Sequence, residues 1–162
     1  ILSTEKKMRR HSYVFHQYQK WFEEMPSIWP VYGYIRSNFG WRIHPLRRRK
    51  QFHKGIDIPA WTGAPVQATA DGFVEFTGWG GGYGWMIVLS HQYGYQTIYA
   101  HLSEIEVSQG LKVSKGQIIG KIGSSGLSTG PHVHYEIRHR RKAVHPANYL
   151  NLNLFTAISK LW

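Results

Sequence analysis

Short runs of β-branched and aromatic residues, separated by glycine-containing turns, dominate the chain from Val31 onward. Such runs predict strands at about 31–36, 66–77, 85–91, 95–101, 117–122 and 132–138. The 17 glycines are concentrated in the same region, where they mark the turns. Strands joined by turns this short pair with antiparallel neighbours. The sequence therefore predicts a mainly β fold, a compact antiparallel β-sheet domain.

The first 25 residues or so carry a different pattern. Apolar side chains recur there at roughly helical spacing, at Tyr13, Val14, Tyr18, Trp21, Phe22 and Met25. Pro26 ends this pattern and Pro30 follows in an irregular link. We therefore expect an N-terminal helical arm and linker over 1–29, the β domain over 30–151 and a C-terminal extension over 152–162. Because the chain begins at Ile1 rather than at methionine, we also expect a membrane anchor or a regulatory segment upstream.

The distribution of charge narrows the choice of partners. The chain has 20 Lys and Arg against 9 Asp and Glu, a net charge of +11, and no cysteine. No Lys or Arg occurs between Lys54 and Lys112, whereas dense basic runs occur at 47–50 and 138–142. Two basic patches beside a neutral-to-acidic middle suit an anionic polymer better than a continuous nucleic-acid stripe. A nucleic-acid-binding β domain is therefore the weaker interpretation, and we expect no nucleic-acid partner.

Three histidines and one aspartate are the candidates for metal chemistry. His132 and His134 are two residues apart in a predicted strand, so both imidazoles project from one face. His53 and Asp57 flank Gly55, which permits a tight turn, and they can converge on one ion. With one histidine of the pair they form the three-ligand set of a catalytic zinc site, whose fourth position is left to water. The plainer interpretation is that these are unrelated polar positions on the surface.

The order and spacing of several motifs resemble the lysostaphin-type (LytM-domain) zinc metallopeptidases, which cleave peptides of bacterial peptidoglycan. The resemblance covers about residues 30–151. The matching segments are 39–45 (FGWRIHP), 52–57 (FHKGID), 69–72 (TADG), 81–84 (GGYG), 99–102 (YAHL), 113–117 (VSKGQ), 123–126 (GSSG) and 129–136 (TGPHVHYE).

This resemblance implies a site, residue by residue. His53, Asp57 and His134 match the ligands of one Zn²⁺ per chain. His101 and His132 match the histidines that assist catalysis without binding the metal, although which of them is the general base stays open. The implied fold carries a narrow substrate groove across the sheet, with the metal at its floor.

The resemblance also implies a function. We expect a zinc metalloendopeptidase that hydrolyses cross-links or stem peptides of peptidoglycan by a zinc-activated water. Its partners would be peptidoglycan peptides, with anionic envelope polymers held by the basic patches. Its location would be the bacterial periplasm, the cell envelope or outside the cell. The alternative is a non-catalytic domain of the same type that binds cell wall or activates another wall hydrolase.

Three features of the sequence can each be interpreted in two ways. Glu136 shares the strand face of His134 and is either a partner of that histidine or a solvated carboxylate. Tyr83 either lines the groove or packs in the interior, and we favour the groove. The N-terminal helix is either the end of a longer upstream region or a segment that packs near the groove and limits access.

Overall fold

The computed structural model describes residues 2–150 and contains, in that part of the chain, two α-helices and eleven strands, with short 3₁₀ turns at Gly81–Tyr83 and Gln92–Gly94. The helices are α1 (Leu2–Glu24) and α2 (Ala147–Leu150). The strands are β1 (Gly40–Ile43), β2 (Lys50–His53), β3 (Ile56–Pro59), β4 (Pro65–Gln67), β5 (Gly72–Trp79), β6 (Trp85–Ser90), β7 (Tyr95–Ile105), β8 (Lys112–Val113), β9 (Ile118–Ile122), β10 (His132–His139) and β11 (Lys142–Val144). The predicted extension over 152–162 lies outside the described residues.

Nine of the strands form one antiparallel sheet, and β1 and β2 form a separate hairpin. The central order is β11-β10-β7-β6-β5-β8, with β3 paired to β10 and β9 paired to β7 and β4. One edge of β10 faces β7, and its other edge is shared by β3 at the start and β11 at the end. This arrangement makes β10 a central strand, so its register fixes what stands beside it.

The two faces of β10 have different neighbours. Val133, Tyr135 and Ile137 are fully buried in the main hydrophobic core. The alternate residues, His132, His134, Glu136 and Arg138, share the opposite face. The alternation that the sequence showed therefore separates a core face from a polar face, and the predicted mainly β, antiparallel fold is confirmed.

Two of the predicted strands differ from the structure. The strand expected over 31–36 is wrong: this segment is irregular, with Tyr32 exposed, and its hydrogen bonds to β3 are confined to its end, where the amide of Arg36 donates to the carbonyl of Asp57 and the adjacent Ser37 forms a bridge with Asp57. The run over 66–77 divides into β4 and β5, because the turn at Ala70–Asp71 interrupts it. The β1–β2 hairpin was not predicted, although it brings His53 to the site.

Helix α1 is attached to the β domain by its last turn. Lys115 Nζ donates hydrogen bonds to the carbonyl of Phe22 at 2.5 Å and to Ser27 Oγ at 2.6 Å. The amide of Asp71 donates to the carbonyl of Glu23 at 2.8 Å. Most of the helix before this turn is exposed. None of the described helices is long and apolar enough to cross a membrane.

Substitution of Gly55 tests how closely the turn between β2 and β3 must approach β10. A Cβ atom on Gly55 would lie 2.3 Å from the carbonyl oxygen of Tyr135, so the backbone would have to move. We expect Gly55→Ala to lower the free energy of unfolding by about 2 kcal/mol or more, as overpacking does. The measurement is equilibrium unfolding in denaturant.

Gly82→Ala is the matched control, because its Cβ would meet only the side-chain tip of Leu127, at 3.2 Å. Equal destabilisation by the two substitutions would contradict the importance of the Gly55 contact.

Candidate metal centre

Three side chains from three different strands converge on one point. His53 ends β2, Asp57 lies in β3 and His134 lies in β10. His53 Nε2 is 3.1 Å from Asp57 Oδ1 and 3.0 Å from His134 Nδ1, and His134 Nδ1 is 2.8 Å from Asp57 Oδ1. Both histidines are 7% exposed. The cluster is therefore a nearly buried set of two imidazole nitrogens and one carboxylate oxygen.

The pairing of β3 with β10 places two of these donors opposite each other. Asp57 and His134 are direct register partners in that antiparallel pair. His53 arrives from the β1–β2 hairpin, across the Gly55 turn, and its Nδ1–H donates to the carbonyl of Asn38 at 2.7 Å. That hydrogen bond leaves the lone pair of Nε2 directed at the cluster.

Glu136 sets the orientation of His134. His134 Nε2–H donates to Glu136 Oε1 at 3.1 Å, which leaves Nδ1 as the nitrogen that faces Asp57. Glu136 is fully buried and also accepts hydrogen bonds from Tyr83 Oη at 2.6 Å and from Arg138 Nε at 2.9 Å. Burial alone would raise the pKa of Glu136, but the His134 hydrogen bond and its other partners lower it to about 2. Glu136 is thus a buried partner of His134 and not a solvated carboxylate.

Arg42 holds the second oxygen of Asp57. Its Nη2 donates to Asp57 Oδ2 at 3.2 Å, and its Nη1 donates to Ser37 Oγ. Burial alone would raise the pKa of Asp57, but hydrogen bonds from His134 and His53 hold that pKa well below its ordinary value. Asp57 therefore stays ionised, with Oδ1 facing the two histidines.

His101 and His132 stand next to the cluster. Their ring centroids are 4.8 Å apart, and the ring of His101 is 6.0 Å from that of His134. His101 Nδ1–H donates to the carbonyl of Ser125 and His132 Nδ1–H to that of Gly130, each at 2.7 Å. In both residues Nε2 is left with its lone pair, and His132 Nε2 is 3.8 Å from Asp57 Oδ1.

The backbone at His101 has a left-handed conformation, with φ of 61°. Residues other than glycine rarely adopt this conformation, and it costs on the order of 1 kcal/mol. The β7–β9 pairing is irregular just beyond His101, between Leu102 and Glu104. This local departure from strand geometry aims the imidazole at the cluster.

A cavity of about 560 Å³ opens over the five residues. The β1–β2 hairpin and its flanking residues line it with Arg36, Arg42, Arg47 and Lys54, and the loop at 80–83 lines it with Tyr83. No residue of α1 lines the cavity in the part of the chain that the structure describes. The helix therefore does not form a wall of this groove.

The structure thus brings together all five residues that the sequence singled out. Tyr83 lines the cavity, as favoured, and also contacts Glu136. Sequence reasoning gave no role to Arg42 or Arg138. Arg138 was visible as the next residue on the His134–Glu136 face, but the contact of Arg42 depends on the hairpin, for which no signal was recognised.

The donor set fits a zinc ion. Three donor atoms, one from each of His53, Asp57 and His134, lie within 4.8 Å of one another. Zinc binds imidazole and carboxylate at about 2.0–2.2 Å in tetrahedral geometry, which separates its donors by roughly 3 to 3.5 Å. The second nitrogen of each histidine is already hydrogen-bonded, as it is in most metal-binding histidines. The absence of cysteine leaves this nitrogen-and-oxygen set as the means of binding.

A buried site that offers two imidazoles and one carboxylate to a single ion is typical of metal-dependent hydrolases. The chain belongs to such a group: peptidase family M23 matches residues 51–146. The resemblance drawn from the sequence motifs is thereby confirmed.

Similar proteins agree with this membership. Over 118 residues the chain is 47% identical to the DD-carboxypeptidase/endopeptidase Mpg of Neisseria meningitidis serogroup B, which covers 73% of this chain and 27% of that protein. It is 37% identical over 123 residues to the murein hydrolase activator NlpD of Salmonella dublin, covering 75% of this chain and 30% of that protein. A zinc-containing peptidase from Vibrio cholerae has a similar structure, with a TM-score of 0.68, 36% identity and coverage of 77% of this chain and 39% of that one. The chain spans less than a third of the length of the two curated relatives.

Removal of a donor should remove the metal. We expect the protein to bind close to one zinc per chain and expect His53→Ala and Asp57→Ala each to lose it, because two donors hold the ion far more weakly than three. The measurement is metal content by mass spectrometry after dialysis, with folding checked by circular dichroism. His16→Ala, an exposed histidine of α1, is the control and should retain the zinc. Full retention of zinc in either donor variant would contradict the assignment.

Loss of the Glu136 charge should weaken zinc binding without abolishing it. Glu136→Gln keeps the shape of the side chain but accepts a weaker hydrogen bond from His134, so we expect zinc affinity to fall by about 10- to 100-fold. The measurement is competition with a chelator of known affinity. An unchanged affinity would show that Glu136 does not act through His134.

Proposed function

We propose that this chain is the catalytic domain of a zinc endopeptidase that hydrolyses peptide cross-links or stem peptides of bacterial peptidoglycan. Membership of peptidase family M23 and the similarity to a relative named as a DD-carboxypeptidase/endopeptidase support this substrate class. The proposed location follows from the substrate: the periplasm, the cell envelope or outside the cell. The observation that carries the proposal is the convergence of the three donors with His101 and His132 in one cavity.

In this proposal His53, Asp57 and His134 hold the metal. A zinc ion with these ligands supplies Lewis-acid chemistry and lowers the pKa of a bound water toward ~7. The protein holds the ligands by its own hydrogen bonds: Asn38 orients His53, Glu136 orients His134 and Arg42 orients Asp57. These contacts keep the donor atoms in place before the substrate arrives.

The two remaining histidines handle protons. Burial lowers the pKa of His101 to about 4 and also lowers the pKa of His132, so both imidazoles are neutral near pH 7. With Nδ1–H bound to a backbone carbonyl, each can accept a proton only at Nε2. One of them takes the proton of the attacking water at Nε2 and, as the imidazolium so formed, donates a hydrogen bond to the developing oxyanion before it passes the same proton to the departing amine.

A second function deserves a test because of the similarity to NlpD, a relative named as an activator of murein hydrolases. A non-catalytic domain would bind cell wall or stimulate another hydrolase and would not need a complete metal site. This chain has the full donor set and both neighbouring histidines, which favours catalysis.

The direct experiment incubates the zinc-loaded protein with defined peptidoglycan fragments and identifies the products by mass spectrometry. The fragments are a D,D-cross-linked dimer, an uncross-linked stem peptide and a glycine-bridged dimer. We expect cleavage of the first or second in a zinc-dependent reaction. No cleavage of any fragment, together with stimulation of an added wall hydrolase, would favour the activator function and overturn the proposal.

Substitutions of His101 distinguish a role in proton transfer from a role in metal binding. We expect His101→Ala and His101→Asn to keep zinc but to lower kcat by on the order of 10² or more, because a positioned acid or base is lost. Asparagine tolerates the left-handed backbone at this position, so the second variant keeps the fold. His16→Asn is the control and should cleave normally. Near-normal turnover of both His101 variants would show that His101 is not catalytic.

A further inference from the structure

The charge around the cavity is one-sided. Arg36, Arg42, Arg47 and Lys54 all line it, and all come from the segment 36–54. The lining residues from 80–83 and from 127–129 are Gly80, Gly82, Tyr83, Leu127 and Thr129, none of which is a Lys, Arg, Asp or Glu. The substrate cavity therefore has a cationic side and a neutral side.

The acidic residues of the cavity do not balance this charge. Asp57 is occupied by Arg42 and the two histidines, and Glu136 by His134, Tyr83 and Arg138. Among the described residues, the side chains of Arg36, Arg47 and Lys54 have no hydrogen-bond or ion-pair partner, and all three residues are exposed. Three unpaired cations thus lie on one side of the cavity.

Two of these residues, Arg36 and Lys54, adjoin metal donors through the backbone, and Arg47 lies in the β1–β2 turn. The amide of Arg36 donates to the carbonyl of Asp57 at 2.9 Å. Lys54 directly follows His53, and the amide of Arg47 donates to His44 Nδ1 at 3.1 Å in the β1–β2 turn. A ligand that reaches the metal from this side passes through their field.

We propose that Arg36, Arg47 and Lys54 form a subsite for the free carboxylate of the residue that leaves when the peptide bond is cut. This inference rests on the proposed function and defines its substrate class: peptides with an unblocked carboxylate next to the scissile bond. Guanidinium and ammonium groups pair with carboxylates through charge-assisted hydrogen bonds, and unpaired cations at a cavity edge are available for this.

Two reactions release a residue that bears a free carboxylate next to the scissile bond. A carboxypeptidase by definition releases a residue that bears a free α-carboxylate. A cross-link made through the side-chain amine of a diamino diacid has the same feature, because the carbon that bears the amine also bears a carboxylate. One cationic subsite therefore suits both reactions, whereas a bridge of neutral residues, such as glycine, presents an amide there instead.

The binding test uses a matched pair of ligands, N-acetyl-D-alanyl-D-alanine and its C-terminal amide. It is made on the zinc-loaded His101→Asn protein, so that neither ligand is consumed, with affinity measured by calorimetry. We expect the free acid to bind on the order of tenfold more tightly than the amide. Combining Arg36→Gln, Arg47→Gln and Lys54→Gln should abolish this preference while zinc content stays unchanged.

The control variant combines Arg140→Gln, Arg141→Gln and Lys142→Gln, which remove the same net charge from exposed positions outside the cavity. It should keep the preference for the free acid. A preference that survives in the cavity variant would overturn the subsite, since the metal alone would then hold the carboxylate. Equal binding of acid and amide by the unsubstituted cavity, with loss only of polyanion binding in the variant, would identify a polymer-binding patch and also overturn it.

A hydrolysis test separates this inference from the proposed function. The zinc-loaded protein with His101 intact is given D,D-linked peptides whose leaving residue is a free acid or an amide. Equal kcat/KM for the two would overturn the subsite and leave the peptidase function standing. Cleavage of neither, with the binding preference intact, would overturn the peptidase function and, with it, the leaving-residue role, and would leave only a carboxylate-binding site at these three residues.

Discussion

The antiparallel pairing of β3 with β10 is the contact on which the site depends. It sets Asp57 opposite His134, and on the other edge of β10 the pairing with β7 sets Ala100, the neighbour of His101, opposite His134. A shift of one residue in either register would turn the imidazole of His134 toward the core. The same strand register is therefore needed for core packing and for the site, because Val133 and Tyr135 are buried only in the register that aligns the histidines.

Burial of the site imidazoles is tolerated because each of them has a protein acceptor. One nitrogen of every site imidazole is bound to a protein acceptor: three backbone carbonyls, from Asn38, Ser125 and Gly130, and the carboxylate of Glu136. An unpaired buried nitrogen would cost about 1–3 kcal/mol. The same hydrogen bonds decide which nitrogen faces the cavity, so the interactions that satisfy the buried groups also prepare them for metal binding and proton transfer.

The sequence predicted the parts of the site that lie on regular strands. The two-residue period of β10 revealed that His132, His134 and Glu136 share a face, and it needed no tertiary information. The irregular parts of the site have no such period and could not be predicted from it. The segment 31–36 has strand-like residues, yet it is hydrogen-bonded to β3 only at its end, through Arg36 and the adjacent Ser37. Basic residues lie in and around β1 and β2, and no strand was predicted there. The contact of Arg42 with Asp57 joins residues that only the folded hairpin brings together.

The β1–β2 hairpin and its flanks supply two kinds of cation with different tasks. Arg42 is half-buried and is bound to Asp57 and Ser37, so its charge is used to fix which carboxylate oxygen faces the donors. Arg36 and Lys54 are exposed and unpaired, so their charge reaches into the cavity. Part of the net charge of +11 is therefore concentrated at the cavity, on the hairpin and its flanking residues. A distant anionic polymer responds to the total charge, but a substrate in the cavity responds only to the side chains that line it, because salt screens exposed charges beyond about 10 Å.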